Sequence, residues 1–504
     1  MARAFTLLLL ILFSVPSRRF APPLEVSFWY WHTPFRLSPG ETKELREIGV
    51  TRLFVRAGTF SHEYKLTVPQ KWAAAGSPFK VALVYNFDSG LLRHFGDLDV
   101  AGAADAMARA INSSSKAALM AGVAVEGVQL DIDCPTRLLP KYASLVQAIR
   151  PLVDLPGPWK LSVTGLSSWL GTRGLKRLAS KVDFLAPQFY ESDLALDASQ
   201  VRSIGDLSAI ERGLPKAADL GKPVYAGIAT YGRALLYDPK GRLAGIYRGL
   251  SPEDALRHPA LEFCSLKPLG RTGIAADKAG YVGEDQLSFV ANGPTEEARG
   301  YRLVYDLPSP ELLARELEAV RRAAPDNCQG VILYRMPQDE DGMALLLPSV
   351  AAVLRGADPK PDVALQVSAR PDPWRLVDSN GGKRSSEIRV VTENKGDGPT
   401  GIAPNGVQIL VRWPEAGLIE AEPGDFDSVR PGTVDPASGR FRPCSPLEAN
   451  AALLSRSRLQ PGQRCESGLI EVEGNVRAEA FSAIRTPGGF GIQTSQASST
   501  ERHP

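Results

Sequence analysis

The run VEGVQLDIDCP, residues 125–135, is where residue type and spacing first point to chemistry. Drawn out as a strand it places Gln129, Asp131 and Asp133 on one face and Val128, Leu130 and Ile132 on the other, because successive strand side chains point to opposite sides. Two carboxylates at i and i+2 lie roughly 6.6 Å apart along such a strand. At that range each makes ionisation of the other more costly, so one can keep its proton near neutral pH and act as a general acid. This assigns acid/base work to Asp133, and to Asp131 the setting of its neighbour's pKa or the stabilisation of a cation-like transition state. The competing reading is an ion pair inside a core, with Arg56 or Arg335 as the cation.

These carboxylates need a rigid frame, and the sequence supplies one. Eight runs rich in Val, Ile, Phe and Tyr alternate with amphipathic stretches: Val26–Trp31, Thr51–Thr59, Lys80–Phe87, Val125–Asp133, Lys160–Leu166, Val182–Tyr190, Pro223–Thr230 and Gly330–Met336. The runs are nearly continuous in apolar residues, as strands buried on both faces must be. The fold class expected is α/β, a (β/α)8 TIM barrel over residues 22–356, with the paired carboxylates at the C-terminal mouth of its fourth strand. Helix starts are legible too: Ser38, Pro39 and Glu41 form a capping-box pattern, and Ser309–Pro310 precede an apolar stripe of Leu312, Leu313, Leu317 and Val320. The stretch at about 233–306 is too long for a loop and reads as a subdomain inserted after the seventh strand. Beyond the Pro- and Asp-rich RGADPKPD, alternating runs over 362–486 read as a C-terminal all-β sandwich-like domain with few contacts back to the barrel, and 487–504 as a disordered tail.

Other expected strand ends carry polar and aromatic side chains. Trp29 and Trp31 share one face of the first strand, with His32 following, and Arg56, Asn86, Asp88, Gln188, Tyr190, Glu191, Tyr231 and Arg335 fall at or near further mouths. Aromatic rings with polar tips suit the C–H faces and hydroxyls of a pyranose, so these residues and Gln129 form the expected substrate-binding set. Tyr190 divides evenly between site and scaffold, Glu191 is a reserve carboxylate, and the main task expected of the two arginines is to neutralise the carboxylates. Cys134 reads as an inert small apolar residue.

On these motifs rests a resemblance. EGVQLDID, residues 126–133, resembles the D-G-x-D-x-D-x-E signature of the family 18 glycoside hydrolases, and PQFYE resembles that family's sixth-strand Q-x-Y-D. The resemblance implies Asp133 as the acid and Asp131 as the group that orients a substrate acetamido group. Gln129 stands where the family has Asp, and Asp133 where it has the longer Glu. FWYWHTP, GVQLDIDCPT, LSVTGLSSWL, PQFYES, PVYAGIATYGRALLYD and GVILYRMP are similar to an uncharacterised group of exported bacterial proteins, domain of unknown function 3142. That similarity implies the barrel and no particular activity.

Composition narrows the rest. The 504 residues carry 58 Lys+Arg against 56 Asp+Glu with the basic residues scattered, which leaves no footprint for nucleic acid. Residues 1–21 combine Arg3, an apolar run from Phe5 to Val15 and small residues, the pattern of a signal peptide, so a secreted or periplasmic location without a transmembrane span in the mature chain is expected. Among five cysteines, Cys444 and Cys465 are the expected disulfide, and Cys264 and Cys328 could pair if folding brings them together. Neither C-x-x-C nor H-E-x-x-H spacing occurs and no dinucleotide or phosphate-loop glycine pattern follows a strand, so no metal and no cofactor are expected. The sum is an exported enzyme of the glycoside hydrolase kind acting on a carbohydrate polymer or oligosaccharide. The alternative is a barrel that binds such a polymer without cleaving it, or a structural envelope protein.

Overall fold

Strands that alternate two apolar faces can be satisfied only if both faces are covered, and the chain does this by closing a sheet on itself. The computed structural model describes residues 24–73, 77–190, 194–198, 201, 203–267, 286–292, 299–338, 341–371, 385–414, 417–435, 437–486 and 492–498. The expected signal peptide, Glu191 and part of the inserted subdomain lie outside the described residues.

Eight parallel strands form the barrel: β1 (Glu25–Tyr30), β2 (Arg52–Phe60), β3 (Lys80–Phe87), β4 (Ala124–Asp131), β5 (Lys160–Leu166), β6 (Phe184–Gln188), β7 (Val224–Ala229) and β8 (Cys328–Tyr334). Each pairs with its sequence neighbours, and β1 pairs with both β2 and β8, so the ring is closed. All eight expected strands are present, with ends displaced by one or two residues. Outward side chains such as Phe28, Tyr30, Val128, Leu130, Val163 and Leu333 pack beneath the surrounding helices, among them Val100–Met120, Leu139–Ile149 and Pro310–Ala323. Inward ones, including Trp29, Phe54, Val84, Phe184, Tyr225 and Ile332, fill the lumen. Gly227 on β7 leaves room for the lumen's largest ring: a Cβ there would crowd the Trp29 indole at 3.0 Å. The capping box of Ser38 and Glu41 forms, and Ser309 accepts from the Leu312 N–H at 3.2 Å.

The N-terminal end of the barrel is sealed by charge. Arg52 bonds Glu25 at 3.2 Å and also Glu126, and the Tyr225 hydroxyl donates to Glu25 at 2.9 Å. Glu126, part of the acidic motif, therefore belongs to the closed end of the barrel and not to the mouth.

After β7 the chain builds a five-stranded antiparallel sheet in the spatial order Leu243–Tyr247, Arg233–Tyr237, Arg302–Asp306, Gln286–Ala291, Leu261–Lys267. The C-terminal residues form two antiparallel sheets that share one apolar core, Ile388, Val390, Ile470 and Val472 from one and Val407, Ile409, Val411 and Leu454 from the other. Three expectations are corrected here. Ile492–Ser498, expected to be disordered, is a strand paired with Glu479–Arg485, where it completes the edge of a sheet. Cys444 and Cys465 are both free: Cys465 pairs within the sheet of Ser385–Asn394, whereas Cys444 ends a strand of the other sheet; Cys264 and Cys328 are free as well. The sandwich is also firmly attached, with Ile402 buried in the core of the inserted sheet and the Arg458–Glu253 and Arg257–Asp427 ion pairs crossing between them. The linker's composition conceals this, because the contacts come from residues distant in sequence. Among the described residues no helix is long and apolar enough to cross a membrane.

One buried acid stands out. Glu316 is 0 % exposed, its carboxylate oxygens have no hydrogen-bond partner, and a Cβ at Gly205 would meet its Oε1 at 2.2 Å. Burial, then Asp206 and Asp306, hold its carboxyl well above the usual carboxylate range. A carboxyl raised in the folded state contributes stability at low pH that is lost as pH climbs from the unfolded value through the folded one. Glu316→Gln should therefore melt higher than the parent, by a margin that widens as pH rises above the ordinary glutamate pKa of about 4.3 in thermal melts.

Candidate active site

The mouth of the barrel opens into a cavity of about 700 Å³. β4 delivers Asp131 at its last residue, half-buried, and Asp133 two residues beyond, exposed to the cavity. Asp131 accepts hydrogen bonds from Thr164 Oγ1 of β5 at 2.6 Å and from Gln188 Nε2 of β6 at 3.3 Å. Burial raises its carboxyl above the ordinary range against the opposing pull of those two bonds, which favour the charged form. Neighbouring strands thus hold the carboxyl in one orientation while burial favours its protonated form.

Beneath Asp131 the strand's inward position is Gln129, and its work is structural. The Trp29 indole N–H donates to Gln129 Oε1 at 2.7 Å and Gln129 Nε2 donates to Ser162 Oγ at 3.3 Å, all of them buried. Gln129 lies under the floor and does not line the cavity, so its expected substrate contact is corrected. Trp29, 1 % exposed, is the floor itself. Asp88 is corrected as well: its carboxylate caps the helix Ser89–Arg93 by accepting from the Leu91 N–H at 2.6 Å, and it does not line the cavity. Glu191 lies outside the described residues.

Trp31, Arg56, Asn86, Gln188, Tyr190, Tyr231 and Arg335 all line the cavity with the two aspartates. The aromatic wall is organised around Tyr334, a residue the sequence analysis passed over. Tyr190 stacks on it at 5.5 Å and 13°, and Tyr231 and Trp31 meet it edge-on at 5.1 and 5.4 Å. Burial, then the neighbouring Tyr231 and Tyr334, hold the Tyr190 hydroxyl well above its usual range, so it stays a neutral donor. Thr164 was missed too. Both signals were available, since LSVTGL and GVILYRMP were read as strands and strict alternation turns Thr164 and Tyr334 inward.

The ion-pair reading of the arginines does not hold for Asp131, whose hydrogen bonds come from Thr164 and Gln188. Arg335 binds Asp341 at 3.1 and 2.6 Å and lies over the Tyr231 ring. Arg56 donates to Thr59 at 2.7 Å and lies over the Trp31 ring. The rim is shared: Tyr247 and Arg248 come from the inserted sheet, and the loop holding Asp341 and Met343 is bound through the Gly342 carbonyl by Arg458 of the sandwich at 3.0 Å. Cys134 is buried beside Asp133, burial pushing its thiol up to about 12, and His32 is held below its usual pKa by burial while its Nε2 meets the Met336 carbonyl at 3.0 Å. Burial thus disfavours the thiolate of Cys134 and the charged imidazole of His32. Among the described residues no group of three or more His, Cys, Asp or Glu could hold a metal ion.

Residues 92–197 match DUF3142, a domain of unknown function. The matched segment contains β4 to β6 and with them Asp131, Asp133, Thr164, Gln188 and Tyr190. No curated protein matches the chain. Similar solved structures include the spore cortex-lytic enzyme SleL of Bacillus cereus, at 12% identity over 66% of this chain and 73% of that one, with a TM-score of 0.42. A family GH18 chitinase from Chromobacterium violaceum is 12% identical over 95% of this chain and 92% of its own, with a TM-score of 0.38. A glycoside hydrolase family 18 N-acetylglucosaminidase from Paenibacillus barengoltzii is 13% identical over 66% and 99%, with a TM-score of 0.41.

Gln129 offers a direct check of the floor. Gln129→Leu strands the buried Trp29 N–H, and leaving such a donor unsatisfied costs about 1–3 kcal/mol. Chemical denaturation should show that loss with an unchanged m-value.

Proposed function

We propose that the protein is an exported glycan-active hydrolase whose general acid is Asp133. The observation that carries this reading is the placement of Asp131: a carboxyl with a raised pKa, fixed by Thr164 and Gln188, at the open end of a barrel strand and two residues from a carboxylate exposed to an aromatic-walled cavity. In this reading the glycosidic oxygen takes its proton from Asp133 as the bond to the anomeric carbon breaks, and water then adds to that carbon and returns a proton to the Asp133 carboxylate. Asp131 shares the proton of the pair, and once ionised its charge stabilises the oxocarbenium-like centre that develops beside it. Tyr190, Tyr231 and Trp31 supply ring faces and polar tips to the sugar, and Tyr334 keeps those rings in place. Export rests on the signal-peptide pattern of residues 1–21, and N-terminal sequencing of the mature protein tests it.

The decisive measurement is the release of reducing ends from amino-sugar polymers and bacterial exopolysaccharides by the parent protein and Asp133→Asn. The amide keeps the shape of the side chain and cannot deliver a proton, so turnover should fall by about 10²–10⁴ with sugar affinity retained. Equal rates for parent and variant would remove Asp133 from the acid role. Retention of a polymer without cleavage by either protein would favour a binding barrel.

The pH profile gives a second test. A general acid works while protonated, so activity falls as pH rises through the upper pKa of the pair, and removing one carboxyl abolishes the mutual repulsion that raises it. Asp131→Asn should lower turnover and move the alkaline limb of the profile to lower pH. An unmoved limb would show that Asp131 does not set the pKa of the acid.

A further inference from the structure

We propose that the glycan held in this cavity carries a carboxylate, and that Arg56 receives it. The proposal rests on the glycan reading above and adds the class of sugar.

Arg56 leaves β2 at a bulge: it pairs with Val84 of β3, and the register slips before Gly58 pairs with Tyr85. A bulge bends a strand and re-aims its side chains, and here the side chain lines the cavity. The guanidinium is half-buried over the Trp31 ring at 5.9 Å. Its Nη2 donates to Thr59 Oγ1 at 2.7 Å, and Thr59 Oγ1 donates to Asn86 Oδ1 at 2.9 Å. The threonine is thereby used on both sides and neutralises nothing. Among the described residues the buried Nε has no hydrogen-bond partner and no carboxylate forms an ion pair with Arg56.

The contrast with the other arginines is what singles it out. Arg52 has Glu25 and Glu126, Arg150 has Asp183, Arg233 has Asp306 and Arg335 has Asp341. Each of these cations has an anion, as the desolvation cost of a buried charge demands, Arg233 and Arg335 on the lining of the same cavity included, whereas among the described residues Arg56 has none. Burial depresses the Arg56 pKa and no neighbouring carboxylate opposes it. Arg248, exposed on the inserted sheet at the rim, is also without an ion pair among the described residues.

Nη1 and the second N–H of Nη2 are left to donate, and the two N–H groups side by side at the end of a guanidinium form a planar fork that a carboxylate accepts with two parallel bonds. A carboxylate on a pyranose fits the rest of the cavity: one negative charge is matched by Arg56, while the ring meets the aromatic wall. A multiply charged phosphate would add repulsion from Asp131 and Asp133. The carboxylate can be the C6 group of a uronic acid or a lactyl ether on an amino sugar, and both present the same acceptor.

The test measures affinity of the full-length Asp133→Asn protein, which retains bound glycan in the reading above, for three polymers. These are a polysaccharide containing uronic acid, the same polysaccharide with its carboxyls reduced to alcohols, and peptidoglycan strands bearing lactyl groups. An acidic polymer should bind about tenfold more tightly than the neutral reduced one, the scale of a hydrogen bond to a charged group. The additional Arg56→Gln substitution should bring that ratio close to one, with Arg56→Lys in between. Whichever acidic polymer shows the ratio identifies the source of the carboxylate. Equal binding of acidic and reduced polymers by a protein with intact Arg56 overturns the inference and leaves the glycan reading standing, and it needs no arginine variant to fold. An acidic preference that survives Arg56→Gln in a protein with an unchanged melting temperature also overturns the assignment to Arg56. Absence of binding to every polymer overturns the glycan reading and this inference with it.

Discussion

Burial on both faces of every barrel strand is the constraint from which the rest follows. An outward side chain has a helix to pack against, but an inward polar one must find its partner inside the lumen or at one of its ends. The lumen answers in layers. Arg52, Glu25, Glu126 and Tyr225 close the N-terminal end with charge, Trp29, Gln129 and Ser162 join hands in the middle, and only at the C-terminal end do polar groups meet open space. The acidic motif on β4 runs through all three layers, so Glu126, Gln129 and Asp131, similar on paper, have three different tasks.

At the mouth the electrostatic design is uneven in an informative way. Asp131 is stabilised as an anion by two hydrogen bonds and destabilised by burial, and burial wins. That outcome suits a group that must exchange a proton, and it is reached with hydrogen bonds from Thr164 and Gln188 on the carboxyl. Arg56 lies in the same cavity with the opposite imbalance, a desolvated charge with no counter-ion among the described residues. That imbalance lies on the surface that a ligand would touch.

The appended parts bear on that surface. The inserted sheet brings Tyr247 and Arg248 to the rim, and the sandwich reaches the same rim through Arg458, which grips Glu253 of the insertion and the Gly342 carbonyl of the loop after β8. Asp341 in that loop holds Arg335. Three regions of the sequence thereby support one cavity, and Ile402 seals the junction with apolar contact.

The sequence by itself determined the barrel, because continuous apolar runs separated by capped amphipathic segments have few other ways to bury both faces of each strand. It determined the mouth position of Asp131 and Asp133 for the same reason, since period-two alternation needs no knowledge of neighbours. Alternation also holds the inward placement of Thr164 and Tyr334. What only the tertiary structure decided is which inward residue touches which. Gln129 is a strut and not a ligand contact because Trp29 and Ser162, on strands far away in sequence, converge on its amide. Asp88 caps a helix because the chain turns at once after β3. Cys444 and Cys465 stay apart because the strand that Cys444 follows and the strand that holds Cys465 belong to opposite sheets. Local pattern fixes the face of a strand on which a side chain lies; partnership across a barrel depends on closure, which no local pattern contains.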